Sequence, residues 1–88
     1  MKVFYTKDFV KMLDTLPKNI QCLYLSQEDI LKENSRDPRL HIKKLKGKPI
    51  TFSFRITRAY RAFFVFKSVD EIVIYAVADR KDAYRKYK

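Results

Sequence analysis

The chain has 88 residues and a formal net charge of +10, from 20 Lys and Arg against 10 Asp and Glu; 47% of it is apolar, with seven Phe and six Tyr. That length fits one domain, residues 1–88, and at this size only about two-thirds of the unfolded chain's surface is buried, so modest stability is expected. A single cysteine, Cys22, and a single histidine, His41, exclude an internal disulfide and a zinc site of the usual kind, while one glycine and three prolines argue against a disordered or repetitive chain. The opening MKVFYTKDF lacks the apolar core of a signal peptide, and no apolar run approaches the roughly 20 residues of a membrane span, so a cytoplasmic protein without membrane contact is expected.

Residues 2–5 (KVFY) read as a short strand. Thr6 can cap a helix, its hydroxyl accepting from a first-turn amide, and Phe9, Met12, Leu13 and Leu16 then follow on one helical face. Pro17 suits the first turn of a second helix, where Ile20, Leu23, Tyr24, Gln27, Ile30 and Leu31 continue the period until Asp37-Pro38 stops it. Cys22 on this helix is expected to be small and at least half-buried. Residues 36–49 form a basic connector holding Gly47.

Three runs rich in β-branched and aromatic residues follow, at 50–56, 60–67 and 71–78, separated by gaps of hairpin length. The first alternates Ile50, Phe52, Phe54 and Ile56 with Thr51, Ser53 and Arg55, so one face packs and the other is polar. The second and third are apolar on both parities, which makes them central, with their second face partly covered. The fold class is therefore α+β: an N-terminal short strand and a helical hairpin packed on a three- to four-stranded, mainly antiparallel sheet. The final DRKDAYRKYK reads as a short helix or a tail.

The charge is unevenly spread. Residues 1–35 balance five basic against five acidic residues, whereas residues 36–67 hold ten basic residues and one acid, Asp37. Such asymmetry fits a surface for a polyanion, nucleic acid first among them. Arg55 on the polar parity of its strand and Arg61 across the hairpin can share a face, with Arg58 in the turn between them. Arg80 ends the third long run, Tyr84 stands one helical turn on, and Lys44, Lys46 and Lys48 flank from the connector. Singly, each arginine fits a solvated sheet face. As a set they have almost no acidic partners and fit phosphate recognition, where the guanidinium fork pairs two oxygens. His41, beside Leu40 and Ile42, reads as a packed or surface residue rather than a general base, and Tyr75 as core.

The run KKLKGKPITFSFRITRAYRAFFVF followed by IVIYAVADRKDAYRK resembles the RelE/ParE superfamily of bacterial and archaeal toxins. The matching features are DP at 37–38, KLKG at 44–47, YR at 60–61 and R-K-D-x-Y at 80–84, in that order; the last looks more like the RelE branch than the gyrase-poisoning ParE branch. The resemblance covers nearly the whole chain. It implies a ribonuclease acting on messenger RNA in the ribosomal A site, by attack of a 2′-hydroxyl on the adjacent phosphate, without metal or other cofactor. Arg61 is then expected to hold the phosphate, Arg80 to stand near the leaving 5′-oxygen, and Tyr84 to stack on a base or help activate the 2′-hydroxyl. Arg55 matches a position where relatives carry lysine, and Arg58, Lys44, Lys46, Lys48 and Lys81 are expected to bind RNA. Two positions depart from the pattern: Ser53, where some relatives carry a second lysine, and Asp79, where many carry a histidine. A co-expressed antitoxin with an acidic segment is the expected partner. Two other readings stand beside this one: a toxin of the same fold with another target or a decayed site, and a non-enzymatic RNA-binding domain.

Overall fold

The computed structural model describes residues 1–45, 47 and 50–79. The elements are β1 (Lys2–Tyr5), α1 (Lys7–Asp14), α2 (Lys18–Glu33), a 3₁₀ turn (Pro38–Leu40), β2 (Lys43–Lys44), β3 (Thr51–Arg55), β4 (Tyr60–Ser68) and β5 (Glu71–Asp79). They build an α+β fold around one five-stranded sheet of order β1-β5-β4-β3-β2. The meander β3–β4–β5 lies where the apolar runs place it, with β4 and β5 as inner strands. KVFY is the further strand, parallel to β5 with Lys2 opposite Glu71. The fifth strand, β2, comes from the connector and pairs antiparallel with β3. Two lysines carry no strand propensity; they extend because the edge of β3 presents backbone groups that need partners.

The helices pack on one face of the sheet. The Thr6 hydroxyl accepts from the Phe9 amide at 3.1 Å, as its capping role requires. Phe9 is buried, and Met12, Leu13 and Leu16 pack partly against the core. Pro17 sits at the N-cap of α2, whose buried seam is Ile20, Tyr24, Glu28 and Leu31. Leu23 lies one residue off that seam, about 100° around the helix, and is exposed. Cys22 is exposed for the same reason, not half-buried as its small size suggested. The helix ends at Glu33, where Asn34 turns extended (φ −155°), before the Asp37-Pro38 pair is reached. Asp37 instead opens the 3₁₀ turn, accepting from the Arg39 amide at 2.9 Å.

An aromatic series ties the helices to the sheet: Phe9 to Tyr24 (ring centroids 5.3 Å), Tyr24 to Phe54 (6.1 Å) and Phe54 to Phe64 (6.0 Å). Inside this layer lies Glu28, 5% exposed. Its Oε1 accepts from the hydroxyls of Tyr24 (2.7 Å) and Tyr5, and its Oε2 meets Lys32 Nζ at 3.4 Å. The buried carboxylate is thus fully partnered, the condition under which burial of a charge is tolerated. Burial, and then the Glu28 carboxylate, pushes the phenol pKa of Tyr24 up, and that of Tyr5 likewise. Among the described residues no helix is long and apolar enough to cross a membrane.

Candidate functional site

Alternation along the strands gives the sheet two faces. The helices cover the face of Phe54, Ala62, Phe64 and Ile74. The other face carries Ser53, Arg55, Arg61 and Phe63. Arg55 and Arg61 are directly opposite in the β3–β4 register, so they share this face as their spacing predicts. Arg61 is in turn opposite Ala78 of β5. The β4–β5 register steps between Phe63 and Phe64, leaving Tyr75 as an extra residue in β5. This bulge brings both Tyr75 and Ala76 to Phe63, with the Tyr75 and Phe63 rings 6.4 Å apart. Met12 of α1 and Leu45 of the connector close over the same cluster. This face is therefore partly covered, as the apolar second parity of β4 and β5 leads one to expect, and the cover extends to the polar residues of β3: Thr51 is 7% exposed and Ser53 3%.

Arg61 is half-buried and held by two different segments. Its Nε donates to Ser53 Oγ at 2.9 Å; its Nη2 donates to the His41 carbonyl at 2.5 Å and, more distantly, to the Ser53 carbonyl at 3.4 Å. The His41 carbonyl is aimed by left-handed backbone (φ 46°, ψ 51°) that closes the 3₁₀ turn. That turn is itself fastened. Gln27 of α2 donates through Nε2 to the carbonyls of Arg39 (3.0 Å) and Arg55 (2.7 Å). The Arg39 guanidinium, and then its amide, hydrogen-bond the Asp37 carboxylate and hold its pKa at about 2. The His41 ring stands exposed; it is the backbone of His41 that faces the site. In the sequence Ser53 stands out only as a departure from the family's lysine, not as a partner of Arg61, and Gln27 not as a site residue. The available signal was Gln27 as the one polar residue in the apolar stripe of α2.

Arg58 is exposed in the β3–β4 turn, where the Thr57 hydroxyl accepts from the amides of Ala59 and Tyr60. Lys44 is opposite Phe52, which puts it on the helix-bearing face rather than beside the arginines. Lys43, opposite Ser53, takes the place expected of Lys44. A basic connector without strand propensity has no parity to tell the two apart. Asp79 is opposite Tyr60, whose side chain joins the helix-side core, so alternation puts Asp79 on the face away from Arg55 and Arg61. Lys46, Lys48, Arg80, Lys81 and Tyr84, with the C-terminal helix or tail, lie outside the described residues. Among the described residues no group of His, Cys, Asp and Glu could hold a metal ion.

No protein-family model and no curated protein matches the chain; its likeness is to solved structures. The RelB–RelE antitoxin–toxin complex of Methanococcus jannaschii contains a chain that is 25% identical with a TM-score of 0.77, over 97% of this chain and 99% of that one. The archaeal RelE–RelB complex of Pyrococcus horikoshii gives 27% identity and a TM-score of 0.67, over 90% and 93%. A RelBE toxin–antitoxin complex of Mycobacterium tuberculosis gives 27% and 0.70, over 90% and 96%. Two helices on one face of a five-stranded mixed sheet make a small α+β fold shared with these toxins. The chain belongs to the RelE/ParE toxin superfamily.

Proposed function

We propose that this chain is a single-domain, cytoplasmic toxin of a type II toxin–antitoxin pair, acting as a ribosome-dependent endoribonuclease on messenger RNA. The observation that carries this reading is the cross-strand pair Arg55–Arg61. Like charges directly opposite in a sheet cost a few tenths to about 1 kcal/mol, and an anion bound between them offsets that cost. Ser53 and His41, which accept from the Arg61 guanidinium, are neutral hydrogen-bond partners that orient it beside Arg55.

In the reaction, the 2′-oxygen of one nucleotide bonds to the adjacent phosphorus and the bond to the 5′-oxygen of the next breaks. The 2′-hydroxyl gives up a proton and the leaving oxygen gains one. Arg61 binds the phosphate and stabilises charge on the phosphorane, with Arg55 as the second cation. Arg58 and Lys43 add positive field, and Lys44, Lys46, Lys48 and Lys81 meet the RNA backbone. Arg80 stands by the leaving oxygen, and Tyr84 stacks on a base or helps activate the 2′-hydroxyl. Arginine, with a pKa above about 12, gives up protons poorly, so charge and positioning rather than proton transfer set this chain's contribution. No metal or small-molecule cofactor enters the scheme. The partner is an antitoxin, a reading the RelB complexes of its relatives support, and an acidic segment in it would complement a chain of net charge +10.

Induced expression followed by mapping of messenger RNA 5′ ends tests this. Cuts within translated codons, lost in Arg61→Ala, are expected. Growth arrest with intact transcripts refutes the nuclease and points to another target, such as gyrase; salt-sensitive RNA binding without cuts reduces the chain to an RNA-binding domain.

A further inference from the structure

Arginine carries about 2 kcal/mol of rotamer entropy, and a guanidinium free to swing binds a phosphate less well, and in more orientations, than a fixed one. Arg61 is fixed. Its Nε–H ends on the Ser53 hydroxyl at 2.9 Å and its Nη2 on the His41 carbonyl at 2.5 Å, two acceptors on the same edge of the guanidinium but from different elements. Ser53 is buried, so its hydroxyl is not traded for water. The His41 carbonyl is aimed by backbone that a non-glycine residue adopts at a cost, and His41 is the only such residue among those described.

We propose that Ser53, through its hydroxyl, and His41, through its backbone carbonyl, are positioning residues that hold the Arg61 guanidinium in one plane to receive the scissile phosphodiester. This rests on the function proposed above. Neither residue touches the RNA; both act through Arg61. A fixed guanidinium favours the geometry of the transition state more than the encounter with RNA, because the charge that attracts RNA stays when the plane is lost. Displacements of about 1 Å are enough to cost around 10²-fold in rate.

The test is single-turnover cleavage of messenger RNA on stalled ribosomes, read as the rate at saturating toxin and the half-saturating toxin concentration. Ser53→Ala is expected to slow the saturated rate about 10- to 100-fold and to shift half-saturation less than about threefold. His41→Val, whose β-branched side chain disfavours left-handed backbone, moves the carbonyl without touching the buried strand and is expected to act in the same direction, so the test stands if Ser53→Ala does not fold. The double variant Ser53→Ala/Arg61→Ala should be no slower than Arg61→Ala alone. The Arg61 Nε–H resonance provides a readout independent of cleavage: its exchange with water should quicken at least about tenfold in Ser53→Ala. If Arg61→Ala abolishes cleavage while both Ser53→Ala and His41→Val cut at the wild-type rate, or if Nε–H exchange is unchanged, the positioning role is overturned and the nuclease stands. If Arg61→Ala cuts normally, the nuclease site itself is misassigned and the positioning role falls with it.

Discussion

Tyr24→Phe removes one hydroxyl from the helical layer and nothing else. The ring that packs between Phe9 and Phe54, at 5.3 and 6.1 Å, is retained. What is lost is the 2.7 Å hydrogen bond to Glu28, the only buried charged residue among those described. A hydrogen bond to a charged group contributes about 1.5–3 kcal/mol, so a cost of about 2 kcal/mol is expected near neutral pH, or about 10 °C in Tm for a domain of this size. Tyr5 donates to the same oxygen but is 45% exposed, so water can take its place and Tyr5→Phe should cost less than about 1 kcal/mol. The pH dependence gives a second check. The folded-state pKa of Tyr24 is raised above the ordinary phenol value of 10.0, first by burial and then by Glu28. A raised pKa means that the folded state binds the proton more tightly. Its contribution is therefore complete below about pH 10 and is lost above it, at up to about 1.4 kcal/mol per pH unit. Tyr24→Phe lacks that loss, so the gap between the two proteins should narrow from about 2 kcal/mol at pH 8 to below about 1 kcal/mol at pH 11. Lysine deprotonation affects both equally and cancels in the difference. Urea melts followed by circular dichroism at the two pH values measure it. A variant as stable as wild type at pH 8, or a gap that does not narrow by pH 11, refutes the reasoning.

Leu31, fully buried in the helix-side core, should cost about 2–5 kcal/mol when cut to Ala, by thermal or urea melts. Gln27→Leu removes donors from the Arg39 and Arg55 carbonyls and should cost about 1–2 kcal/mol in the same melts. Asp37, held at about 2 by Arg39, supports the 3₁₀ turn only while ionised. Its lowered pKa places that support above the ordinary value of 3.8 and removes it as pH falls towards 2, so Asp37→Asn should melt below wild type at pH 5 and level with it near pH 2. In titrations of single-stranded RNA at several salt concentrations, Arg55→Gln and Arg61→Gln should each lower the slope of log K against log salt by about one phosphate contact.

The order of elements was legible because each left a local mark. Thr6 caps, Phe9 and Leu13 repeat at helical spacing, and Phe52 and Phe54 alternate with Thr51 and Ser53. What left no local mark was missed. β2 is two lysines whose strand conformation is imposed by the edge of β3. The early end of α2 depends on Asn34 turning extended three residues before the proline that announces a stop. Leu23 and Cys22 are exposed because helical spacing shows how wide an apolar stripe is and not how much of it the sheet covers. Glu28 looks like a surface acid until Tyr5 and Tyr24, 23 and 4 residues away in sequence, are folded around it.

The site shows the same division more sharply. That Arg55 and Arg61 share a face follows from strand parity and a short turn, both local properties. Which of the two is held, and by what, does not. The acceptors for Arg61 lie 8 and 20 residues before it, and the second is a backbone carbonyl, a group every residue possesses and no sequence pattern distinguishes. Only the left-handed turn at His41 makes that carbonyl special, and the turn depends on Asp37 capping the 3₁₀ segment and on Gln27 tying it to α2 and β3. Ser53 illustrates the point from the other side. By resemblance alone it is a missing cation; in the folded chain its hydroxyl accepts the Arg61 Nε–H, which a lysine ammonium, a donor only, could not do. Under the function proposed above, the two readings of position 53 are told apart by whether its loss weakens RNA binding or slows cleavage.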